Sequence, residues 1–352
     1  MSHVSSDFPQ FTPVTLITGF LGSGKTTLLQ RLLADAALAD TAVLVNEFGE
    51  VGLDHHLLER IDERTVLLRS GCLCCTVRGE LADAVRHLHS RRTRAEIPSF
   101  RRLVIESTGL ADPFPVLTTF AADPVLKHHF RMAGVVTTVD AVNGPRQLAQ
   151  HPESVKQVAV ADRIVITKVD LSAAVAVAAV ERRVRTINPA APLLHGATAS
   201  TLANWVLADE PAAITRDPAT LAWFADEMRA AKHADGASVQ ARHGDGIHAF
   251  AIVLNRPLDW TAFGLWLTML LHRHGNDVLR VKGILNVEGS DTPVAVHGVQ
   301  QLVHIPTHMQ AWPDADRRSR LVFIVRGLDR ASIEQSLAVF CDPVAGDAAV
   351  AA

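Results

Sequence analysis

The stretch Gly19-Phe20-Leu21-Gly22-Ser23-Gly24-Lys25-Thr26-Thr27 decides how the rest of this 352-residue chain is read. It fits G-x-x-x-x-G-K-[ST], a pattern whose glycines let successive backbone N–H groups turn inward around a phosphate. Its surroundings agree. Val14-Thr15-Leu16-Ile17-Thr18 before it is a β-branched apolar run that reads as a buried strand, and residues 28–39 after it read as an amphipathic helix. The N-terminus of that helix adds a partial positive charge. Lys25 is predicted to reach the β/γ-phosphates and the Thr26 hydroxyl to sit on Mg²⁺. Gly19, Phe20, Leu21, Gly22, Ser23, Gly24 and Thr27 complete the predicted phosphate contact. A chance glycine-rich turn would not carry a strand and a helix in register on its two sides.

Outward from this loop, roughly the first 200 residues alternate short β-branched runs with helical patterns, which predicts an α/β fold with a mostly parallel sheet covered on both faces. Strands are expected at 14–18, 42–46, 65–68, 103–106, 135–139, 163–167 and 192–195, and helices at 79–94, 154–161 and 172–187. The domain expectation is 12–207 for this unit and 208–246 for a linker rich in Ala, Asp, His and Pro, with one short helix near 223–231. A smaller α+β domain with an antiparallel sheet follows at 247–341, and an Ala-rich tail at 342–352. In the smaller domain the expected strands are 248–254, 278–285, 295–298, 301–306 and 320–325, with helices at 261–274 and 332–340.

Composition bounds the function. A net charge of −3 gives no reason to expect nucleic-acid or anionic-membrane binding. The first dozen residues are polar, so no secretory signal is expected, and the apolar stretch at 263–271 is too short to span a bilayer. Three of the 4 cysteines fall within 72–75 and cannot form a disulfide framework, which suits a reduced compartment and a metal or redox role. A cytoplasmic protein is expected.

Three further motifs carry chemistry. Arg102-Leu103-Val104-Ile105 runs into Glu106-Ser107-Thr108-Gly109, and an acid at the carboxyl end of a strand parallel to the first is placed to hold Mg²⁺ through water. Gly109 is then positioned for its N–H to sense the γ-phosphate. Apolar strands ending in Glu are common, so the spacing from Lys25 carries this reading. Arg163-Ile164-Val165-Ile166 runs into Thr167-Lys168-Val169-Asp170. An Asp there accepts the ring N–H and exocyclic amine of guanine, which adenine does not offer, so GTP is favoured over ATP. The Lys168 stem lies across the base. Thr167 stands where GTPases usually have Asn, which puts part of the loop's supporting hydrogen bonds in question; a strand-end turn with a capping Asp is the plainer alternative.

Gly71-Cys72-Leu73-Cys74-Cys75 is the last of the three. Three thiols in four residues can supply three soft ligands to one ion, leaving a fourth position for exchange, as a delivery site requires. Redox chemistry through Cys72 and Cys75, or inert buried thiols, are the alternatives; zinc is the default metal, with Cu(I) and cobalt compatible. Between the phosphate loop and these cysteines, residues 46–56 leave a strand on the phosphate side, as a γ-phosphate-dependent switch loop would. Glu47 and Glu50 in it are candidates to touch Mg²⁺, the attacking water or the second metal, against the plainer reading of solvated carboxylates. His55, His56, His128, His129, His272 and His274 read as surface residues rather than ligands, and Cys341 as a core thiol.

In this order and spacing, GFLGSGKTT, VNEFGEVGLD, GCLCC, ESTG and TKVD resemble the CobW family of P-loop GTPases, which includes zinc metallochaperones. Arg280-Val281-Lys282-Gly283, His297-Gly298-Val299-Gln300 and residues 316–324 are similar to the family's C-terminal domain, so the resemblance covers about 13–340. It implies a SIMIBI-type P-loop fold, GTP/GDP and Mg²⁺ as ligands, and GTPase activity coupled to transfer of Zn²⁺ to a client metalloprotein. By motif, Gly19–Thr27 and Thr167–Asp170, with Thr167, Lys168 and Asp170 as the contacting residues, correspond to nucleotide contacts, to which the reading above adds Gly109. Glu106 corresponds to the Mg²⁺-site acid, and the expected hydrolytic set is Lys25, Thr26, Glu47 and Glu106, with Thr26 and Glu106 at Mg²⁺. Cys72, Cys74 and Cys75 correspond to the Zn²⁺ ligands. The family also has branches tied to cobalamin synthesis and to nitrile hydratase activation, and these stay open, as does homodimer formation. No nucleic-acid or membrane partner is expected.

Overall fold

The computed structural model describes residues 11–35, 38, 40–46, 66–70, 77–195, 199–206 and 246–341. Two compact units divide them. The first takes those within Met1–Gln157, Ala161–Ala178 and Leu193–Asp209; the second takes those within Val158–Val160, Ala179–Pro192 and Glu210–Ala352. The expected linker, apart from Gly246, and the expected tail lie outside the described residues.

The first unit is built on strands β1 (Thr12–Gly19), β2 (Thr41–Asn46), β3 (Val66–Ser70), β4 (Arg102–Glu106), β5 (Phe130–Asp140), β6 (Arg163–Thr167) and β7 (Leu193–His195). They form one sheet in the order β3-β2-β4-β1-β5-β6-β7, with every neighbouring pair parallel. The strands are short runs rich in Val, Ile, Leu and Thr. The described side chains of β1, β2, β4, β6 and the second half of β5 are mostly buried, as in a sheet sandwiched between helices, whereas the edge strand β7 is half-buried to exposed. All carboxyl ends face one edge, so the loop after β1, the acid after β4 and the Thr-Lys-Val-Asp turn after β6 are brought to the same edge although about 80 residues separate the first two motifs and about 60 the last two.

Helix α1 (Lys25–Leu33) follows β1, and its N-cap Gly24 sits at φ 89, a left-handed conformation that a side chain would strain. The helix therefore starts a turn before the expected 28–39 and stops earlier, where the Ala34 N–H donates to the Gln30 carbonyl and the Asp35 N–H to the Leu32 carbonyl. Leu28, Leu29 and Leu32 pack with Ile17, Val43, Val104, Val136 and Val165 of the sheet and with Leu202 and Val206 of α8 (Ala199–Val206). The remaining helices are α2 (Val77–Thr93), α3 (Phe114–Ala122), α4 (Pro124–His129), α5 (Gly144–Gln150), α6 (Pro152–Ala159) and α7 (Ala174–Ile187). Helices α3, α4 and α5 add to those expected from periodicity. They are announced by local signals rather than by an apolar stripe, a proline in the first turn of each and the Asp123 carboxylate accepting from Val125 and Leu126 N–H at α4.

The second unit has an antiparallel sheet, β11-β10-β9-β13-β8, from β8 (Ile247–Leu254), β9 (Val278–Leu285), β10 (Val294–Val299), β11 (Leu302–Val303) and β13 (Ser319–Arg326), with β12 (Thr307–His308) also on β10. Helices α9 (Trp260–His274) and α10 (Arg330–Cys341) cover one face. Phe263, Trp266 and Phe323 anchor that core, each worth about 2–3 kcal/mol on burial. The Trp266 indole N–H keeps a partner by donating to Ser336 Oγ at 2.9 Å. Strand 301–306 is cut to two residues because Gln300 turns the chain at φ 50 and Pro306 has no N–H to donate. Buried cations on the same sheet escape a reading by pattern. Arg280 donates to the Val160 carbonyl, and Arg320 pairs with Asp314 at 2.7 Å. Among the described residues no helix is long and apolar enough to cross a membrane.

Candidate nucleotide and metal site

Residues 19–24 link β1 to α1 in a tight loop closed by Ser23 N–H donating to the Phe20 carbonyl at 3.1 Å. The loop rests on a lattice of buried hydroxyls. Ser23 and Thr138 Oγ atoms lie 2.6 Å apart, Thr138 donates to the Thr18 carbonyl at 3.3 Å, and Ser107 donates to Thr18 Oγ1 at 2.9 Å. Lys25 is only 8% exposed, and its Nζ donates to the Gly19 and Phe20 carbonyls at 2.9 and 3.2 Å. The ammonium is thus held at the lip of the loop, where an anion bound by the backbone N–H groups meets it.

Thr26 Oγ1 donates to Glu106 Oε1 at 2.7 Å, and Glu106 is 4% exposed. The contact follows from the sheet, because β4 runs beside β1 with Glu106 paired to Ile17. A hydroxyl and a carboxylate side by side are the hard oxygen donors that Mg²⁺ prefers. An octahedral shell at about 2.1 Å sets neighbouring oxygens about 3 Å apart, so the pair fits such an ion after slight relaxation. Gly109 lies hard against the loop. A Cβ there would come within 2.6 Å of the Leu21 nitrogen, so only glycine fits. Buried Gln157 of α6 fixes this segment by donating from Nε2 to the Gly109 and Ala111 carbonyls, each at 3.1 Å.

At the end of β6 the Thr167 hydroxyl donates to the Ser23 carbonyl at 2.7 Å and approaches the Val139 carbonyl at 3.3 Å. Thr167 therefore does tie the turn to the phosphate loop, in the position for which an Asn is usual. Lys168, at φ 54, donates from Nζ to the Gly22 carbonyl and to Asp140 Oδ2, both at 2.7 Å. Asp170 is exposed in the short 3-10 turn Val169–Leu171. Asp140 is fully buried. Burial pushes its carboxyl up, but the Lys168 ammonium, the Asn143 amide and the Val142 and Asn143 N–H groups outweigh that and hold it below its ordinary value.

Glu47, Glu50, Cys72, Cys74 and Cys75 lie outside the described residues, as do His55 and His56. Among the described residues no group of three or more His, Cys, Asp and Glu could hold a metal ion. His129 instead stacks on His89 at 4.1 Å between ring centroids. Both imidazoles are pushed down, His89 by burial, His129 and Arg92, and His129 by burial, His128 and Arg92. Cys341 packs against the core of the second unit, and burial pushes its thiol up. Reading by motif passes over Asp140, Gln147, His151 and Gln157. Gln147 donates to the Leu21 carbonyl at 3.2 Å, and the His151 ring stacks on Phe20 at 4.5 Å. Only Asp140 had a sequence signal, an acid ending an apolar strand in the same sheet.

A parallel sheet with this loop after β1, an acid beside its threonine after β4 and a Thr-Lys-Val-Asp turn after β6 defines a P-loop nucleotide-binding protein. Family models match in two blocks, "CobW/HypB/UreG, nucleotide-binding domain" over residues 13–195 and "Cobalamin synthesis protein cobW C-terminal domain" over residues 247–341. The chain belongs to the CobW family. It is 33% identical over 317 residues to the zinc chaperone YjiA of Escherichia coli K12, covering 88% of this chain and 93% of that protein. It is 35% identical over 190 residues to the zinc-regulated GTPase metalloprotein activator 1 of Schizosaccharomyces pombe, covering 52% of this chain and 45% of that protein. The crystal structure of Zn(II)-bound YjiA GTPase from E. coli superposes with a TM-score of 0.65 at 29% identity, covering 94% of this chain and 99% of that one.

Proposed function

We propose that this chain is a GTPase that carries zinc on Cys72, Cys74 and Cys75 and hands it to a client metalloprotein as GTP is hydrolysed. The observation that carries the nucleotide half is the 2.7 Å contact of Thr26 with Glu106 beside the clamped Lys25, a ready arrangement for Mg²⁺ and a triphosphate. Lys25 exchanges the Gly19 and Phe20 carbonyls for β/γ-phosphate oxygens and balances the charge that develops on them. Mg²⁺, when bound by Thr26 and Glu106, would supply Lewis-acid stabilisation of the same oxygens. Lys168 and Asp170 take the guanine, the first by its stem over the ring and the second by a bidentate acceptor. Glu47 and Glu50 belong to the switch loop, with Glu47 in the hydrolytic set, and Gly109 senses the γ-phosphate through its N–H.

The zinc half is supported by the names of the relatives and by the three thiols between β3 and α2, a soft donor set open at its fourth position. Because the switch loop lies between the phosphate loop and these cysteines in the chain, hydrolysis changes the metal's coordination or exposure. Linkage then requires zinc affinity to differ between the GTP and GDP states by the same factor as nucleotide affinity differs between zinc-loaded and zinc-free protein. Zinc titrations of the purified protein with a non-hydrolysable GTP analogue and with GDP test this. Unequal affinities are expected, and equal ones would sink the coupling. Transfer of zinc to candidate apo-enzymes, compared between wild type and a triple-cysteine variant, identifies the client. Metal analysis of protein isolated without added metal separates zinc from the cobalt of a cobalamin-linked branch.

A further inference from the structure

We propose that Asp140 is a positioning residue for the nucleotide base, acting through Lys168; this rests on the reading of Lys168 and Asp170 as the base contacts. Asp140 ends β5 directly opposite Thr167 in the parallel pairing with β6, and it is 0% exposed. Its two oxygens divide their work. Oδ1 accepts from the Val142 N–H at 2.7 Å and the Asn143 N–H at 3.2 Å, the ordinary duty of an Asx turn. Oδ2 accepts from Lys168 Nζ at 2.7 Å and from Asn143 Nδ2 at 3.0 Å. The turn alone needs only a neutral acceptor such as Asn or Ser. A fully buried carboxylate is costly unless a cation pairs with it, and Lys168 is that cation.

The ammonium so held also donates to the Gly22 carbonyl, so it is bridged between the end of β5 and the phosphate loop. Both ends of the side chain are then fixed, the Nζ by this bridge and the backbone by a left-handed φ of 54 that the turn imposes. The stem between them has one path over the base position, and the ordering cost that a free lysine would meet on binding is met in advance. A neutral residue at 140 leaves the turn standing and lets the lysine leave the loop.

Titration of fluorescent GDP against wild type, Asp140→Asn, Lys168→Met and the double variant tests this. Losing one charge-assisted contact, Asp140→Asn should weaken GDP by about tenfold. In the Lys168→Met background the same change should cost less than about twofold, since the carboxylate then has no lysine to hold. Unaltered GDP affinity in Asp140→Asn overturns the proposal, and so does an equal loss in both backgrounds, which marks a merely structural role. Should Asp140→Asn fail to fold, Asn143→Ala, which removes one donor to Oδ2, runs through the same cycle with a smaller loss. The base reading itself is tested apart. Asp170→Asn should abolish preference for GDP over ADP, and its failure leaves the Asp140–Lys168 cycle readable with either nucleotide.

Discussion

Gly109→Ala should separate nucleotide binding from hydrolysis if Gly109 has the role proposed above, and the direction follows from which side of a clash gives way. A methyl group at 109 would sit 2.6 Å from the Leu21 nitrogen, 2.7 Å from its Cα and 2.8 Å from its Cδ2. Two of the three atoms are backbone, so no rotamer change relieves the overlap. Carbon contacts are comfortable near 3.5 Å, so one loop must retreat by about 0.9 Å. The phosphate loop is anchored by Thr167 at the Ser23 carbonyl, Lys168 at Gly22, Gln147 at Leu21 and Thr138 at the Ser23 hydroxyl. The Glu106–Gly109 segment is held near Gly109 by the Gln157 amide. The second yields, at a cost of about 1–3 kcal/mol in stability. A shift of this size at the proposed γ-phosphate sensor is expected to cost on the order of a hundredfold in rate, whereas the proposed cradle for GDP stays in place. Single-turnover GTP hydrolysis should therefore fall by about tenfold to a hundredfold, with GDP affinity within about threefold of wild type. Wild-type hydrolysis, or lost GDP affinity with an unchanged rate, would refute the reasoning.

Three further outcomes are expected. Thr167→Val removes the hydroxyl that serves the Ser23 carbonyl and should cost about 1–3 kcal/mol in denaturant unfolding, with weaker GDP binding; an unchanged midpoint would show that the contact contributes nothing. Cys74→Ser should abolish zinc binding in equilibrium dialysis while GDP affinity and melting temperature stay at wild-type values; loss of the fold would mean that the thiols are structural. Asp316 is held down to about 2, from 3.8, first by the hydrogen bond from Arg318 and further by the charges of Arg318 and Arg320, against the upward push of burial. With a depressed folded value, the ionised carboxylate stabilises the fold fully above about pH 4, and that share is lost as pH falls to about 2. Asp316→Asn should flatten the fall in stability across this window, measured by urea unfolding at stepped pH, and parallel curves would rule out the contribution.

Much of this protein was legible in one dimension. The β-branched apolar runs, the glycines of the phosphate loop and the order of the motifs are local properties. They determined the parallel sheet, the phosphate loop, Glu106 at a strand end and the small antiparallel domain. Thr26 and Glu106 could be named together because a parallel sheet aligns carboxyl ends whatever lies between them. Helices α3, α4 and α5 escaped, since what marks them is a proline in the first turn and, at α4, a capping Asp, rather than an apolar stripe.

What the chain could not announce were contacts chosen by packing across strands. The Thr167 hydroxyl serving Ser23, the Gln157 amide on Gly109 and the burial of Arg280 depend on which strands become neighbours and at what register. Asp140 shows the division most clearly. Its strand-end position was readable, but its worth comes from a lysine 28 residues away that the pairing of β5 with β6 sets beside it. Residue type and spacing determined which chemistry this protein carries. Tertiary structure decided which side chains hold that chemistry still, because a hydrogen bond of 2.7 Å is a fact about two strands and not about either one.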